Sequence, residues 1–112
     1  MSKVLPIKIA DSKIVGWQYK SGELSVDLID WREIPIQLKF RGVVAVTAFN
    51  TEGIELSHLE SSDDDALLRQ VRFLDEDSTD LSAFHFVNSW DQAIVLTVIA
   101  SAIETAEAQQ TS

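Results

Sequence analysis

The sequence predicts a mainly β fold, and three observations predict it. Apolar and polar residues alternate along residues 31–49, WREIPIQLKFRGVVAVTAF, where Ile34, Ile36, Leu38 and Phe40 share one side of an extended chain and Pro35, Gln37 and Lys39 the other. Aromatic and β-branched residues crowd the later apolar stretches, FHFV at 84–87 and IVLTVI at 94–99, and such residues pack well on a pleated surface. Turn-forming pairs such as Ser21-Gly22 and Arg41-Gly42 separate the runs at short intervals. The expected architecture is a single domain over 1–112 of about six to eight short, mostly antiparallel strands, a sandwich or a curved sheet with a minor α contribution near 63–71.

The elements follow in chain order. Residues 3–9, KVLPIKI, suit a short edge strand, because Pro6 lacks the amide a central strand would need. Residues 13–19 and 23–29 form a hairpin about Ser21-Gly22, with Leu24, Val26 and Leu28 facing one way and Ser25 and Asp27 the other. Residues 30–33 then lead into the alternating stretch. A strand from Val43 to Phe49 comes next, and the turn chemistry of Asn50-Thr51-Glu52-Gly53 leads to a further strand with Ile54 and Leu56 inward.

The texture changes at Glu60. A serine there is suited to cap a short helix with Asp63, Asp64 and Asp65 in its first turn, and Leu67, Leu68 and Val71 fall on one helical face. The competing assignment for 71–74 is a strand. Asp75-Glu76-Asp77-Ser78-Thr79-Asp80 reads as an acidic loop, and strand chemistry resumes at Ala83. In 93–103, Ser89-x-x-Gln92 and the alanines favour a helix, but the β-branched block favours a strand, which we adopt; 104–112 then forms a polar tail, frayed or helical.

Composition narrows the function. An apolar content of 46% with four glycines and two prolines argues for a packed core rather than disorder. With no cysteine, neither a disulfide framework nor a thiol nucleophile or ligand is available. The longest apolar run, 93–103, falls well short of the ~20 residues of a membrane span, and the first residues lack a secretory h-region. A cytoplasmic protein with no membrane association is the expectation.

The net charge of −9 is unevenly placed. Residues 1–59 hold seven bases and seven acids, whereas 60–80 hold eight acids, Glu60, Asp63, Asp64, Asp65, Asp75, Glu76, Asp77 and Asp80, against Arg69 and Arg72. A field of that sign repels nucleic acid and speeds encounter with a basic protein. Such charge runs more commonly serve only solubility. The contrast with a neutral first half favours a partner-binding surface, and Trp90, in a turn beside Asp91, is the tryptophan best placed to join it. Trp17 and Trp31 read as core or corner residues.

Motifs of catalysis and metal binding are not legible. His58 and His85 have no metal-ligand spacing, so both are assigned structural roles. Asp63-Asp64-Asp65 is contiguous rather than alternating, no glycine follows, and the twelfth position is Leu74 instead of glutamate, so a calcium loop is not expected. Ser57-His58 and Ser101 lack a nucleophile elbow, and the four separated glycines make no phosphate loop. No cofactor, metal or catalytic residue is therefore assigned.

The run GELSVDLIDWREIPIQLKFRGVVAVTAFNTEGIELSHL, with its hairpin, its strand ending in Phe40-Arg41-Gly42-Val43 and its Phe49-Asn50, resembles small bacterial β-domain proteins that serve as immunity proteins of polymorphic-toxin systems, or whose function is unknown. FHFVNSW and AIVLTVIAS are similar to the closing strands of that group, and the resemblance spans about residues 14–103. It implies a non-enzymatic inhibitor that occludes a toxin, and it implies no catalytic residues; the acidic charge of 60–80 adds the expectation of a basic partner such as a toxin nuclease domain. A structural or oligomeric assembly protein and a small-ligand or metal-binding module are the competing readings.

Overall fold

The structure is a computed structural model that describes residues 2–5, 7, 9–49, 53–74 and 80–107, with the backbone alone for 2, 3 and 105–107. Pro6, the turn at 50–52, and Asp75, Glu76 and Asp77 lie outside the described residues. The described elements are β1 (Ser2–Val4), β2 (Lys13–Lys20), β3 (Glu23–Ile29), β4 (Pro35–Arg41), β5 (Ala45–Ala48), β6 (Leu56–Ser62), α1 (Ala66–Leu74), β7 (Ser82–Asn88), β8 (Ile94–Ala100) and β9 (Ala102–Glu107). They form two antiparallel sheets, ordered β1-β6-β7-β8-β5 and β2-β3-β4-β9. The mainly β architecture with one short helix agrees with the sequence reading.

The hydrophobic alternation decides which faces meet. Leu24, Val26, Leu38 and Phe40 project from the four-stranded sheet and Leu59, Phe84, Phe86, Leu96 and Val98 from the five-stranded one, all buried in one shared core. Burial of such side chains contributes roughly 1.5–3 kcal/mol each, which makes this layer the dominant stabilising term. The outer face of the five-stranded sheet is covered by α1, where Leu68 packs on Leu81, Ala83 and Ile99. That explains why β7 and β8 are buried on both faces and read as nearly continuous apolar runs.

Two crossings join the sheets. At one, residues 42–44 carry the chain from β4 to β5 alongside Ser101, which carries β8 into β9; Val44 N donates to Ile99 O at 2.9 Å, and Ser101 N to Arg41 O at 3.0 Å. Gly42 has φ +65, and a Cβ on it would collide with Ser101 Oγ, so the corner requires glycine twice over. At the other, Asp11 N donates to Leu56 O at 2.9 Å and Leu56 N to Ser12 O at 2.8 Å before the chain enters β2.

Four local expectations are corrected. The strand expected over 93–103 is divided at Ser101 between β8 and β9, and 104–107 are not a frayed or helical tail but continue β9, because Ile103 stands opposite Phe40 and packs on the core while Glu104 pairs with Arg41 at 3.0 Å. Glu60, Ser61 and Ser62 extend β6 rather than opening an acidic loop. The helix begins at Ala66, not 63, and its cap is Asp65 rather than a serine. A bulge between Ile14 and Gly16 resets β2, so that Trp17 stands opposite Val26 and Tyr19 opposite Leu24 on an edge strand that leaves Trp17 40% exposed. The first strand lies at a sheet edge as expected, but it spans Ser2–Val4 rather than 3–9. Among the described residues no helix is long and apolar enough to cross a membrane.

Candidate functional site

Among the described residues, the acids singled out by sequence do not form one free surface. Glu60 Oε1 accepts from His58 Nε2 at 2.7 Å, and His58 Nδ1 shares a hydrogen bond with the Ser57 hydroxyl at 2.9 Å. A bulge between Leu56 and His58 allows these neighbours on β6 to meet. In a catalytic triad Nε2 reaches the serine and Nδ1 the carboxylate. Here the two nitrogens are exchanged, and the hydrogen bonds pin the ring against its own strand. Asp64 pairs with Arg69 at 3.1 Å, both well exposed, an interaction of at most about 1 kcal/mol.

Asp65 has a structural task. Its Oδ1 accepts from Leu67 N at 2.8 Å and Leu68 N at 3.2 Å, closing the first turn of α1. Its Oδ2 accepts from Nε2 of buried His85 at 2.8 Å, which ties the helix to β7. Burial pushes the carboxyl pKa up, but the hydrogen bond from His85 and those from the two amides outweigh it and leave it below its ordinary value. A depressed carboxylate pKa contributes stability that is present above the unfolded-state value and is lost as pH falls through the folded one. Asp65→Ala is expected to lose about 2 kcal/mol at neutral pH, from the cap and the abandoned histidine, with the gap beginning to narrow only as pH falls below the ordinary carboxylate value of about 4. Urea denaturation at pH 7 and pH 3 checks this, and a gap independent of pH would refute it.

Around α1 the two ends of the acidic segment meet at Arg72, whose guanidinium donates to Asp63 O at 3.2 Å and Leu81 O at 3.1 Å. Asp80 is exposed beside that contact. The helix then ends on Phe73 and Leu74, 86% and 84% exposed, which the sequence reading passed over. For Phe73 the signal was available, because it falls outside the Leu67, Leu68, Val71 face; Leu74, seven positions after Leu67, continues that face and is exposed at the helix end. Trp90 is 87% exposed, as expected, in a turn where its amide donates to Asn88 Oδ1 at 2.8 Å.

Trp31 departs from expectation. It is 73% exposed, not a core or corner residue, and its turn is built to present it. Buried Asp30 accepts through Oδ1 from Arg32 N and Ile34 N, both at 2.9 Å, and through Oδ2 from the Arg32 guanidinium at 2.8 Å. Burial raises the Asp30 pKa, yet the Ile34 amide and Arg32 hold it below its ordinary value. The sequence signal was an aspartate in a connection, the residue type that caps such turns with its side chain.

Two hollows adjoin this turn. One, of about 490 Å³, is lined by Asp11, Lys13, Asp30, Trp31, Glu33 and Glu55. The other, of about 580 Å³, shares Asp11, Asp30 and Trp31 and continues to Ser12, Ser57 and His58. Among the described residues no group of three His, Asp or Glu side chains is placed to hold a metal ion. Comparison of the chain with protein families, with curated proteins and with solved structures found no match.

Proposed function

We propose that the protein is a non-enzymatic acidic binding module of the inhibitor or immunity kind, which neutralises a basic protein partner by covering it. The observation that carries the reading is the end of α1, where Phe73 and Leu74 stand in solvent beside the acidic ends gathered at Arg72. Exposed apolar anchors set the lifetime of a complex, while surrounding charge of one sign raises its rate of formation. The net charge of 60–80 and the sequence resemblance to toxin-neutralising proteins support the same reading. A toxin nuclease domain, basic because it must hold nucleic acid, has the complementary charge.

Capture of binding proteins on the immobilised chain, followed by stopped-flow association, tests it. Replacing Asp63, Asp64, Asp75, Glu76, Asp77 and Asp80 with their amides is expected to slow association by about tenfold or more and to flatten its salt dependence. Phe73→Ser with Leu74→Ser is expected to speed dissociation instead. Unchanged kinetics in both variants would overturn the proposal.

A further inference from the structure

We infer that the Trp31 turn and its two hollows form a docking groove for an arginine-bearing segment of a partner protein. The inference rests on the reading above only for the partner's basic character. Its location is different, in the half of the chain whose charges sum to zero.

The carboxylates distinguish this place from the acidic segment. Asp64, Asp65 and Glu60 are engaged by neighbours. Asp11, Glu33 and Glu55 line the first hollow without an ion pair or side-chain hydrogen bond among the described residues. Asp30 is matched by Arg32, so with Lys13 counted the hollow keeps a formal charge of about −2 beside an indole, which is the complement of a guanidinium. The ring already shows that affinity: Arg32 Cζ lies 5.7 Å from its centroid.

The second hollow supplies an independent sign of a ligand. Ser12 lines it, is 1% exposed, and its Oγ is buried without a hydrogen-bond partner among the described residues. Native proteins rarely leave such a group unmet, and a turn of the Ser12 side chain toward the hollow would let a peptide N–H or C=O meet it. Ile7, Ile9 and Ile36 form apolar wall there, suited to the residue next to the arginine. Asp30 fixes the backbone of the turn that carries Trp31, and Trp31 lines both hollows, so the turn itself needs little ordering on binding.

The test uses the whole chain, labelled with nitrogen-15, and reads the indole N–H signals of Trp17, Trp31 and Trp90. N-acetyl-arginine amide is expected to move the Trp31 signal saturably, whereas the neutral isostere N-acetyl-citrulline amide leaves it in place. Glu33→Gln with Glu55→Gln, side chains that support nothing in the fold, is expected to weaken the effect by about fivefold to tenfold. Equal response to citrulline, a response at Trp90 instead, or a Trp31 that moves with cellobiose and not with arginine would overturn the site. Arginine binding at Trp31 without any basic partner for α1 would leave this groove standing and remove the earlier proposal; the converse removes only the groove.

Discussion

Leu38→Asp is expected to abolish cooperative unfolding altogether. Leu38 is fully buried, with Val26 on one neighbouring strand and Thr105 on the other as its register partners. A carboxylate there has no water and no counter-ion, and an isolated charge costs several kcal/mol even after the surroundings relax. That is comparable with the roughly 5–15 kcal/mol of total stability in a domain of this kind. Circular dichroism during heating checks it. A sharp melt near that of the parent would mean that β4 turns its other face inward.

Phe40→Ala is expected to cost about 3–5 kcal/mol. Phe40 belongs to the four-stranded sheet, yet its ring meets those of Phe84 and Phe86 on the opposing sheet, with centroids at 5.3 and 5.9 Å and planes inclined by 57° and 65°. Tilted and edge-on pairs of this kind add about 0.5–1.5 kcal/mol each beyond area burial. Removing the ring would therefore lose two inter-sheet contacts and leave a cavity that two rigid sheets cannot readily collapse to fill. Urea titration gives the cost directly, and a loss below about 1.5 kcal/mol would show that the sheets do close over the gap.

The strands were legible in the sequence wherever one face is buried and the other wet. Leu24, Val26, Leu28, Leu38 and Phe40 announce themselves by alternation, and each is buried. The reading failed where alternation is interrupted or where pairing decides the outcome. A bulge in β2 shifts Trp17 by one position, and nothing local to KIVGWQYK marks it except Gly16. The β9 strand is polar and alanine-rich, and only its non-local partner β4 holds it extended. The candidate sites followed the same division. Charge density drew attention to 60–80, but density does not say which acids are already occupied by helix capping and ion pairs. The Asp11, Glu33 and Glu55 group is scattered over 45 positions and comes together only through the second crossing.

The ladder of β4 with β9 also bears on how the protein is made. Ile36 pairs with Glu107, and Val4 with Glu60, so each sheet closes through partners far apart along the chain. During translation the central strand β4 has β3 beside it early but gains its second neighbour only after residue 107 has left the ribosome. Until then the inner edge carrying Leu38 and Phe40 has unsatisfied amides and carbonyls, the condition that invites strand exchange between nascent chains. Closure through such distant pairs belongs to the slow end of folding, on the order of milliseconds to seconds. Chaperone demand would accordingly fall on the half-built four-stranded sheet.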